Sequence, residues 1–257
     1  MACTDDPNPA LGGEPLPASS DSQAEVLDWD LIECEAILTV LPASAAALAP
    51  HLPPGFTPIP FADVVAEMDV PVDPSDGNIG VETFVCQSGQ GLNAPVEAMT
   101  YGSYYAMITP PEDLRRDVTF HFVKWDVLIP DADRRLFLQE RGVPARDGGV
   151  STTVFLQQDS LKMGDQSLTL GETVHFLTAN GVVPAATPEG RIAEFMSTEA
   201  GLVEWQTDYV FHSVANGAAV VDVGAGDLLA EIVGTGPQVG ASFIGALSFV
   251  NGEIRLP

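Results

Sequence analysis

Residues 73–87 read DPSDGNIGVETFVCQ, a turn-forming segment followed by an apolar, β-branched run. Asp, Pro, Ser and Gly in this order are typical of a tight turn between two strands. The pattern therefore predicts a hairpin that pairs residues 64–72 with residues 79–87. A period of two places these side chains of the second strand on one face: Ile79, Val81, Thr83, Val85 and Gln87. Gln87 ends this apolar row and is predicted to point inward.

The segment before this hairpin also predicts a strand. Residues 29–41 read WDLIECEAILTVL, and alternation puts these residues on one face: Ile32, Cys34, Ala36, Leu38 and Val40. Pro42 ends the strand. The alanine-rich residues 44–52 then predict a short helix, which Pro53 and Pro54 stop because proline lacks the N–H that continues the ladder.

The segment after the hairpin repeats the β pattern. Strands are predicted over residues 99–108, 118–129 and 202–213, with a helix that begins at Asp131 and ends near Gly142. From residue 150 onward, short apolar runs alternate with glycine turns. These patterns predict a mainly β fold with a few short helices.

Composition limits the domain count and the classes of partner. A chain of 257 residues with 46% hydrophobic composition can bury one large core, and we assign residues 26–257 to one domain and residues 1–25 to a flexible tether. The formal net charge of -26 opposes binding to phosphate backbones and anionic lipid. Nucleic acid is therefore excluded as an expected partner.

The first residues suggest a location outside the cytoplasm. Cys3 is followed by a polar stretch rich in Pro, Gly, Ser and Asp, which looks like the start of a mature bacterial lipoprotein with Cys3 as the lipidated residue. The alternative is a disordered tail with an incidental cysteine. No apolar run approaches the roughly 20 residues that span a bilayer, so a membrane contact is expected only through the lipid anchor.

Two further cysteines lie in predicted strands. If Cys3 carries lipid, Cys34 and Cys86 remain as an even pair that an oxidising compartment would allow to join. Two buried free thiols are the other interpretation, and the sequence does not decide between them.

Three stretches in order resemble a known family. They are Leu41-Pro42 through Leu52-Pro53-Pro54-Gly55-Phe56; Gln87-Ser88-Gly89-Gln90 with Ala94-Pro95-Val96 and Tyr101-Gly102-Ser103-Tyr104-Tyr105; and Gly142-Val143-Pro144-Ala145-Arg146. This set is similar to the acetoacetate decarboxylase family over roughly residues 30–150. The resemblance implies a curved β-barrel or cone that encloses a small-molecule pocket.

The departures from that family concern its chemistry. Its paired lysines, the first of which forms a Schiff base with the ketone, match Ala145 and Arg146 here. Its glutamate matches Gln87, which cannot exchange a proton near neutral pH. The resemblance thus implies no working acetoacetate decarboxylase, but a retained pocket with Arg146 as a carboxylate anchor and Gln87 as an orienting amide. Its ligand-binding walls would be Tyr101, Tyr104, Tyr105 and Ala145.

A displaced lysine could restore the missing amine. The chain has two lysines, and Lys124 shares a strand face with Phe120 and Phe122, where desolvation would depress its pKa. The alternative is that Lys124 lies near the strand end, pairs with Asp126 or faces water. Lys162 resembles a turn lysine.

Other candidate groups are less specific. His121 is either a core histidine or a general base, and Glu97 and Glu82 are either acid–base groups or solvated strand carboxylates. The four histidines lack the spacing of a metal site, so neither metal nor cofactor is expected.

The sequence leaves two main functions and one further alternative. The first is an extracytoplasmic enzyme of lyase, hydrolase or isomerase type that acts on a carbonyl- or carboxylate-bearing compound. The second is a non-catalytic ligand-binding lipoprotein that uses the same pocket, and the third is a structural lipoprotein with no pocket. A small organic molecule is the expected partner, and assembly into a homo-oligomer is left open.

Overall fold

The structure is a computed structural model that describes residues 26–66, 73, 75–91, 94–96, 98–183 and 188–257. In this part of the chain, strands dominate, as the alternating patterns predict. The strands are, in chain order, β1 (Val26–Ser44), β2 (Thr57–Pro58), β3 (Asp76–Gly91), β4 (Ala94–Val96), β5 (Met99–Thr109), β6 (Phe120–Leu128), β7 (Ala145–Arg146), β8 (Gly148–Gln158), β9 (Leu161–Leu170), β10 (Thr173–Val182), β11 (Glu189–Thr198), β12 (Gly201–Val223) and β13 (Gly236–Arg255). The predicted fold class, mainly β with a few short helices, is confirmed.

The described helices are short, and three of the four are capped by the expected residue types. They are α1 (Ala45–Leu48), α2 (Phe61–Val64), α3 (Ala132–Gln139) and α4 (Leu228–Val233). The side chains of Ser44, Asp131 and Asp227 cap α1, α3 and α4 by accepting a hydrogen bond from a first-turn N–H. Among the described helices, none is long and apolar enough to cross a membrane.

The strands form one curved sheet with the order β11-β6-β5-β3-β1-β13-β12-β10-β9-β8. The long strand β12 also pairs with β11, which closes seven strands into a ring. Strands β10, β9 and β8 extend from this ring as an arm. The barrel that the family resemblance implies is therefore present.

Apolar side chains from all seven strands of the ring fill its interior. This largest core cluster includes Trp29, Phe84, Tyr101, Val127, Met196, Trp205 and Phe249. A second cluster lies between the ring and the β8–β10 arm and is covered by α4. Burial of these apolar faces supplies the main driving force for folding. The ring interior is consequently a place where any charged side chain needs a partner.

The hairpin predicted around residues 73–77 is wrong in its strand pairing. Val64 ends α2, and residues 67–72 and 74 lie outside the described residues. The strand β3 instead pairs with β1 and β5. Gln87 is exposed, because Phe84 and Cys86 face the ring interior and the next side chain points the opposite way. The predicted tether and its Cys3 also lie outside the described residues.

A disulfide joins β1 to β3 inside the ring. Cys34 and Cys86 are directly opposite in the register of the two strands and are bonded through their sulfur atoms. The bond closes a loop with a sequence separation of 52. Cross-linking such a loop restricts the unfolded chain, and for this length the expected stabilisation is about 4 kcal/mol.

Reduction is expected to lower the free energy of unfolding by roughly that amount. Urea denaturation of the oxidised and the reduced protein measures the difference. The control is the double variant Cys34→Ala/Cys86→Ala, whose midpoint should not respond to reductant. Equal midpoints for oxidised and reduced wild type would contradict the prediction.

Candidate active site

Four neighbouring strands of the ring bring charged and polar side chains together. Strand β11 contributes Glu194, β6 contributes Lys124, β5 contributes Tyr101, and β3 contributes Glu82. Their side chains are all buried. Because these strands are adjacent in the sheet, residues far apart in sequence meet at one point.

Lys124 lies at the centre of this group. Its ammonium is 2.5 Å from Glu82 Oε1 and 2.8 Å from Glu194 Oε1, and it donates a hydrogen bond of 3.0 Å to Tyr101 Oη. Only 5% of the lysine side chain is exposed. Ser103 donates a further hydrogen bond of 2.6 Å to Glu82 Oε1. We call Glu82, Tyr101, Lys124 and Glu194 the lysine cluster.

Burial and charge act in opposite directions on Lys124. Burial lowers the pKa of its ammonium, but the carboxylates of Glu194 and Glu82 outweigh burial and raise that pKa well above its usual value. The ammonium is therefore charged at neutral pH. For Glu194, burial dominates and raises the pKa to about 7, although Lys124 lowers it. Glu194 can thus gain or lose a proton near neutral pH.

The sequence-based expectation for Lys124 is corrected in two respects. The side chain does not pair with Asp126 or face water, because it points into the ring, where two glutamates meet it. Its desolvation does not depress the pKa, because those two carboxylates stabilise the charged form. Lys124 is consequently a fixed cation and not a free amine.

A cleft of about 750 Å³ opens beside the lysine cluster. Its volume lies within the range of roughly 300–1,000 Å³ that is typical of small-molecule sites. The cleft is lined by His51, Val123, Lys124, Trp125, Asp126, Pro144, Arg146, Ser197, Gly226, Asp227, Leu228, Ala230 and Glu231. Lys124 also lines a small cavity inside the ring. It therefore stands between the cleft and the ring interior.

Arg146 lies in the cleft, next to the buried Ala145. Its Nε is 2.7 Å from Asp126 Oδ1, and 59% of the arginine side chain is exposed. A guanidinium held by one edge keeps its other N–H groups for a ligand carboxylate. Ala145 pairs with Val127 and belongs to the core of the ring. Arg146 therefore lines the cleft, whereas Ala145, predicted as a ligand-binding wall, does not line it and belongs to the core.

A second buried network reaches the cleft through Asp227. Tyr104 Oη is 2.5 Å from Asp227 Oδ2 and 2.8 Å from His175 Nε2, and His175 Nε2 is 2.6 Å from Asp227 Oδ2. His175 Nδ1 accepts a hydrogen bond of 3.1 Å from the Gly224 N–H. The imidazole proton therefore lies on Nε2 and is donated to Asp227. Burial raises the pKa of Asp227, but these hydrogen bonds outweigh it and lower the pKa.

Replacing Asp227 with alanine is expected to cost about 3 kcal/mol of stability, because it removes the cap of α4 and leaves Tyr104 and His175 without their acceptor. Asp131→Ala is the matched control. Asp131 caps α3 at an exposed site and should cost only about 1 kcal/mol. Urea midpoints of the two variants test the difference, and equal losses would contradict a structural role for the buried network.

The remaining predicted residues do not meet at this site. His121 lies outside the ring cavity, stacks on Phe195 and accepts a hydrogen bond of 3.1 Å from the Arg116 N–H. Tyr105 packs on Phe122 in a separate core cluster. Gln87 is exposed, as described above, and Glu97 lies outside the described residues. Of the three predicted tyrosines, Tyr101 and Tyr104 take part in the two networks.

Most partners in the two networks are not identified by a sequence motif. Glu194, Asp227 and His175 belong to none, and Glu82 is compatible with either an acid–base group or a solvated carboxylate. One signal was present. Glu194 is the single charge in the run Ile192–Met196, IAEFM, which is otherwise apolar, and Glu82 similarly interrupts an apolar strand. A charge within a buried strand needs a partner and indicates a site.

The described residues hold no group of three or more His, Cys, Asp or Glu side chains that could bind a metal ion. The chemistry that these residues offer is that of the lysine cluster and the cleft beside it. An ammonium of fixed charge and a carboxyl group that titrates near pH 7 are suited to polarising an oxygen and moving a proton.

Comparison with known proteins gives similarity in structure alone. No protein-family model matches the chain, and no curated protein matches it. The enduracididine biosynthesis enzyme MppR, complexed with pyruvate, is 11% identical with a TM-score of 0.56, over 95% of this chain and 96% of that chain. An acetoacetate decarboxylase structure is 11% identical with a TM-score of 0.55, over 89% of each chain.

A third similar structure is the acetoacetate decarboxylase of Legionella pneumophila. It is 10% identical with a TM-score of 0.51, over 95% of this chain and 92% of that chain. These similarities extend over nearly the whole length of both partners in each comparison. They show that the chain has the acetoacetate decarboxylase-like fold.

Proposed function

We propose that this chain is a small-molecule enzyme of lyase, hydrolase or isomerase type that acts on a carbonyl- and carboxylate-bearing compound by proton transfer, without a Schiff base. The observation that carries the proposal is the buried Lys124 ammonium, which lies between Glu82 and Glu194 beside an open cleft. Buried charge of this kind is costly to maintain in a ring core and is concentrated at functional sites.

Two features of the residues support a reaction without an imine step. Position 145, which matches the family's reactive lysine, is alanine and has no nucleophile. Lys124 is an amine in the same core, but its two carboxylates raise its pKa and keep it protonated. A protonated amine has no lone pair with which to attack a carbonyl carbon. Lys124 therefore serves the proposed reaction as a cation.

Each group then has a distinct role. The Lys124 ammonium stabilises negative charge that develops on the substrate's carbonyl oxygen. Glu194 does not line the cleft, so it removes or returns a proton, with a pKa of about 7, once the substrate has displaced it from the Lys124 ammonium. Arg146, exposed in the cleft, binds the substrate carboxylate. A similar fold that holds pyruvate supports 2-oxo acids as the first compounds to test.

The test compares proton exchange with covalent trapping. Wild-type protein and the Lys124→Met variant are incubated with a panel of 2-oxo and 3-oxo acids in deuterium oxide, and NMR follows deuterium incorporation beside the carbonyl. Parallel samples receive borohydride and are measured by intact mass and peptide mapping. We expect exchange that depends on Lys124 and no covalent adduct.

Two results would contradict the proposal, and the measurements distinguish them. An adduct mapped to Lys124 would replace the proposal with an imine mechanism on a displaced lysine. Lys162, the other lysine of the chain, is the internal control for unspecific labelling. Neither exchange nor turnover with any compound would overturn the enzyme proposal.

One observation favours a second function. The three N–H groups of the Lys124 ammonium already have three partners, Glu82, Glu194 and Tyr101, so a substrate must displace one of them. That arrangement also suits a non-catalytic ligand-binding lipoprotein whose cleft recognises carboxylates through Arg146. Calorimetric binding of a 2-oxo acid that is lost in Arg146→Ala, with no proton exchange, would support this second function.

The extracytoplasmic location is part of the proposal. It is supported by the disulfide between Cys34 and Cys86, since such bonds persist mainly in oxidising compartments. Lipidation at Cys3 follows from its resemblance to lipoprotein starts. Metabolic labelling with a radioactive fatty acid should mark the wild type expressed with a lipoprotein signal and not Cys3→Ala, and label in neither would overturn the anchor.

A further inference from the structure

The indole N–H of Trp205 is buried in the ring interior and has no hydrogen-bond acceptor among the described residues. Among the described residues, Trp205 Nε1 and Asn216 Oδ1 are the buried side-chain atoms without a hydrogen-bond partner. Trp205 is fully enclosed, packed edge to face on Trp29 at 4.6 Å between ring centroids. By contrast, Trp125 donates its indole N–H to the His51 carbonyl at 2.8 Å. Buried indole N–H groups normally have such an acceptor.

Trp205 lines a small cavity beside the lysine cluster. Its walls are Trp29, Leu31, Phe84, Tyr101, Lys124, Glu194, Trp205, Thr207 and Phe249. The volume of the cavity is about 10 Å³. A space of roughly that size holds one water molecule when polar groups line it. The cavity is too small for an organic ligand.

Other polar groups around the cavity complete the requirements of a water site. Tyr101 uses its oxygen to accept a hydrogen bond from Lys124, which leaves its own O–H to be donated. Glu194 supplies a carboxylate acceptor on the same wall. Buried water typically makes about three hydrogen bonds. Trp205, Tyr101 and Glu194 together offer two donors and one acceptor.

We propose that this cavity is a binding site for one ordered water molecule, which accepts a hydrogen bond from Trp205 Nε1 and donates one to Glu194. Trp205 is then a positioning residue for the proposed acid–base chemistry. The indole N–H fixes the oxygen end of the water, so that a water proton points at the carboxylate. The positioning role of Trp205 rests on the proposed function, whereas the water site does not.

The orientation of the water affects the pKa of Glu194. A water that donates to Glu194 stabilises the ionised carboxylate and opposes the rise in pKa that burial causes. Removing the indole N–H frees the water to turn or leave. The carboxylate then loses a donor, so the pKa of Glu194 is expected to rise by roughly 0.5 to 1 in Trp205→Phe.

The water site is tested on the wild-type protein by NMR, without any assay of activity. The chain has three tryptophans, and their indole N–H signals are assigned with single Trp→Phe variants. We expect the Trp205 indole proton to show a cross-peak to water with the sign of a long-lived, bound molecule. Trp125, with a protein acceptor, is the control and should show none. A Trp205 indole without a water cross-peak would overturn the site.

The coupling to Glu194 is tested by carboxyl titration. Protein labelled with ¹³C at glutamate side chains reports the pKa of Glu194 in wild type and in Trp205→Phe. Trp29→Phe removes similar ring volume from the same cavity wall and is the matched control. A higher pKa in Trp205→Phe alone supports the proposal, and an unchanged pKa overturns the positioning role. Because neither measurement needs turnover, a failed enzyme proposal leaves both results interpretable.

Discussion

Lys124→Met is expected to lower the free energy of unfolding by about 3–5 kcal/mol, one of the largest losses available in this chain. The substitution keeps the length and apolar stem of the side chain but removes the ammonium. Glu82 and Glu194 are then left buried side by side with no cation between them. Uncompensated buried charge, and not lost packing, causes the loss. Urea denaturation at pH 7 measures it.

Lys162→Met is the matched control, because it replaces the only other lysine of the chain. Lys162 donates one hydrogen bond of 3.0 Å to Ser213 Oγ, and burial lowers its pKa. Its charge is therefore not favoured by the fold, and we expect a change below about 1 kcal/mol.

A compensating variant separates charge from packing. Adding Glu82→Gln and Glu194→Gln to Lys124→Met removes all three charges, and stability should recover most of the loss, since replacing a whole buried ion network is often close to neutral. If Lys124→Met alone cost less than about 1 kcal/mol, or if the triple variant recovered nothing, the buried ion network would not have the energetics described.

The elements with strong local patterns could be predicted from the sequence. The strands predicted over residues 29–41 and 202–213 lie within β1 and β12, and the helix predicted after Asp131 is α3, although β1 continues past Pro42 to Ser44. Each depends on neighbours in sequence, such as a capping side chain or a period of two. The predicted pairing of residues 64–72 with residues 79–87 failed because a turn motif does not identify the partner strand. Strand β3 pairs instead with strands that the ring brings alongside it.

The site was only partly predictable, for a different physical reason. Lys124 could be singled out as a cation within an apolar strand, but its partner Glu194 lies on β11, which neighbours β6 only in the folded sheet. The direction of a pKa shift depends on such partners. Burial alone lowers the pKa of a lysine, and two carboxylates reverse the sign. Sequence can therefore identify the desolvated group but not its protonation state.

Glu194 is expected to set the pH dependence of the proposed reaction. Its pKa of about 7 means that the carboxylate form, the base, appears as the pH rises through neutrality. Deuterium exchange into the substrate should therefore increase through about pH 7 and then level off. Glu194→Gln should lower the exchange rate by about 10²- to 10⁴-fold and remove this rise. Rates measured between pH 5 and pH 9 test both statements.

Protonation of Glu194 also affects the free energy of unfolding, which is expected to fall with rising pH while the exchange rate rises. A glutamate carboxyl group in water has an ordinary pKa of 4.5, so between about pH 4.5 and pH 7 the folded protein holds a proton at Glu194 that the unfolded chain has lost. The contribution of this group to stability must fall as the pH rises through that window. In Glu194→Gln that decline should be absent.

The variant Glu82→Gln tests whether the pH dependence of the exchange rate originates in the lysine cluster. The charge of Glu82 raises the pKa of Glu194, so removing it should move the rise in exchange rate to lower pH. A merely destabilised protein would lose rate at every pH and leave the midpoint in place. A midpoint that stays near 7 in Glu82→Gln, or a rise that persists in Glu194→Gln, would assign the titrating group to another residue. The direction of the Glu82 effect thus links the titrating proton to the two carboxylates that hold Lys124.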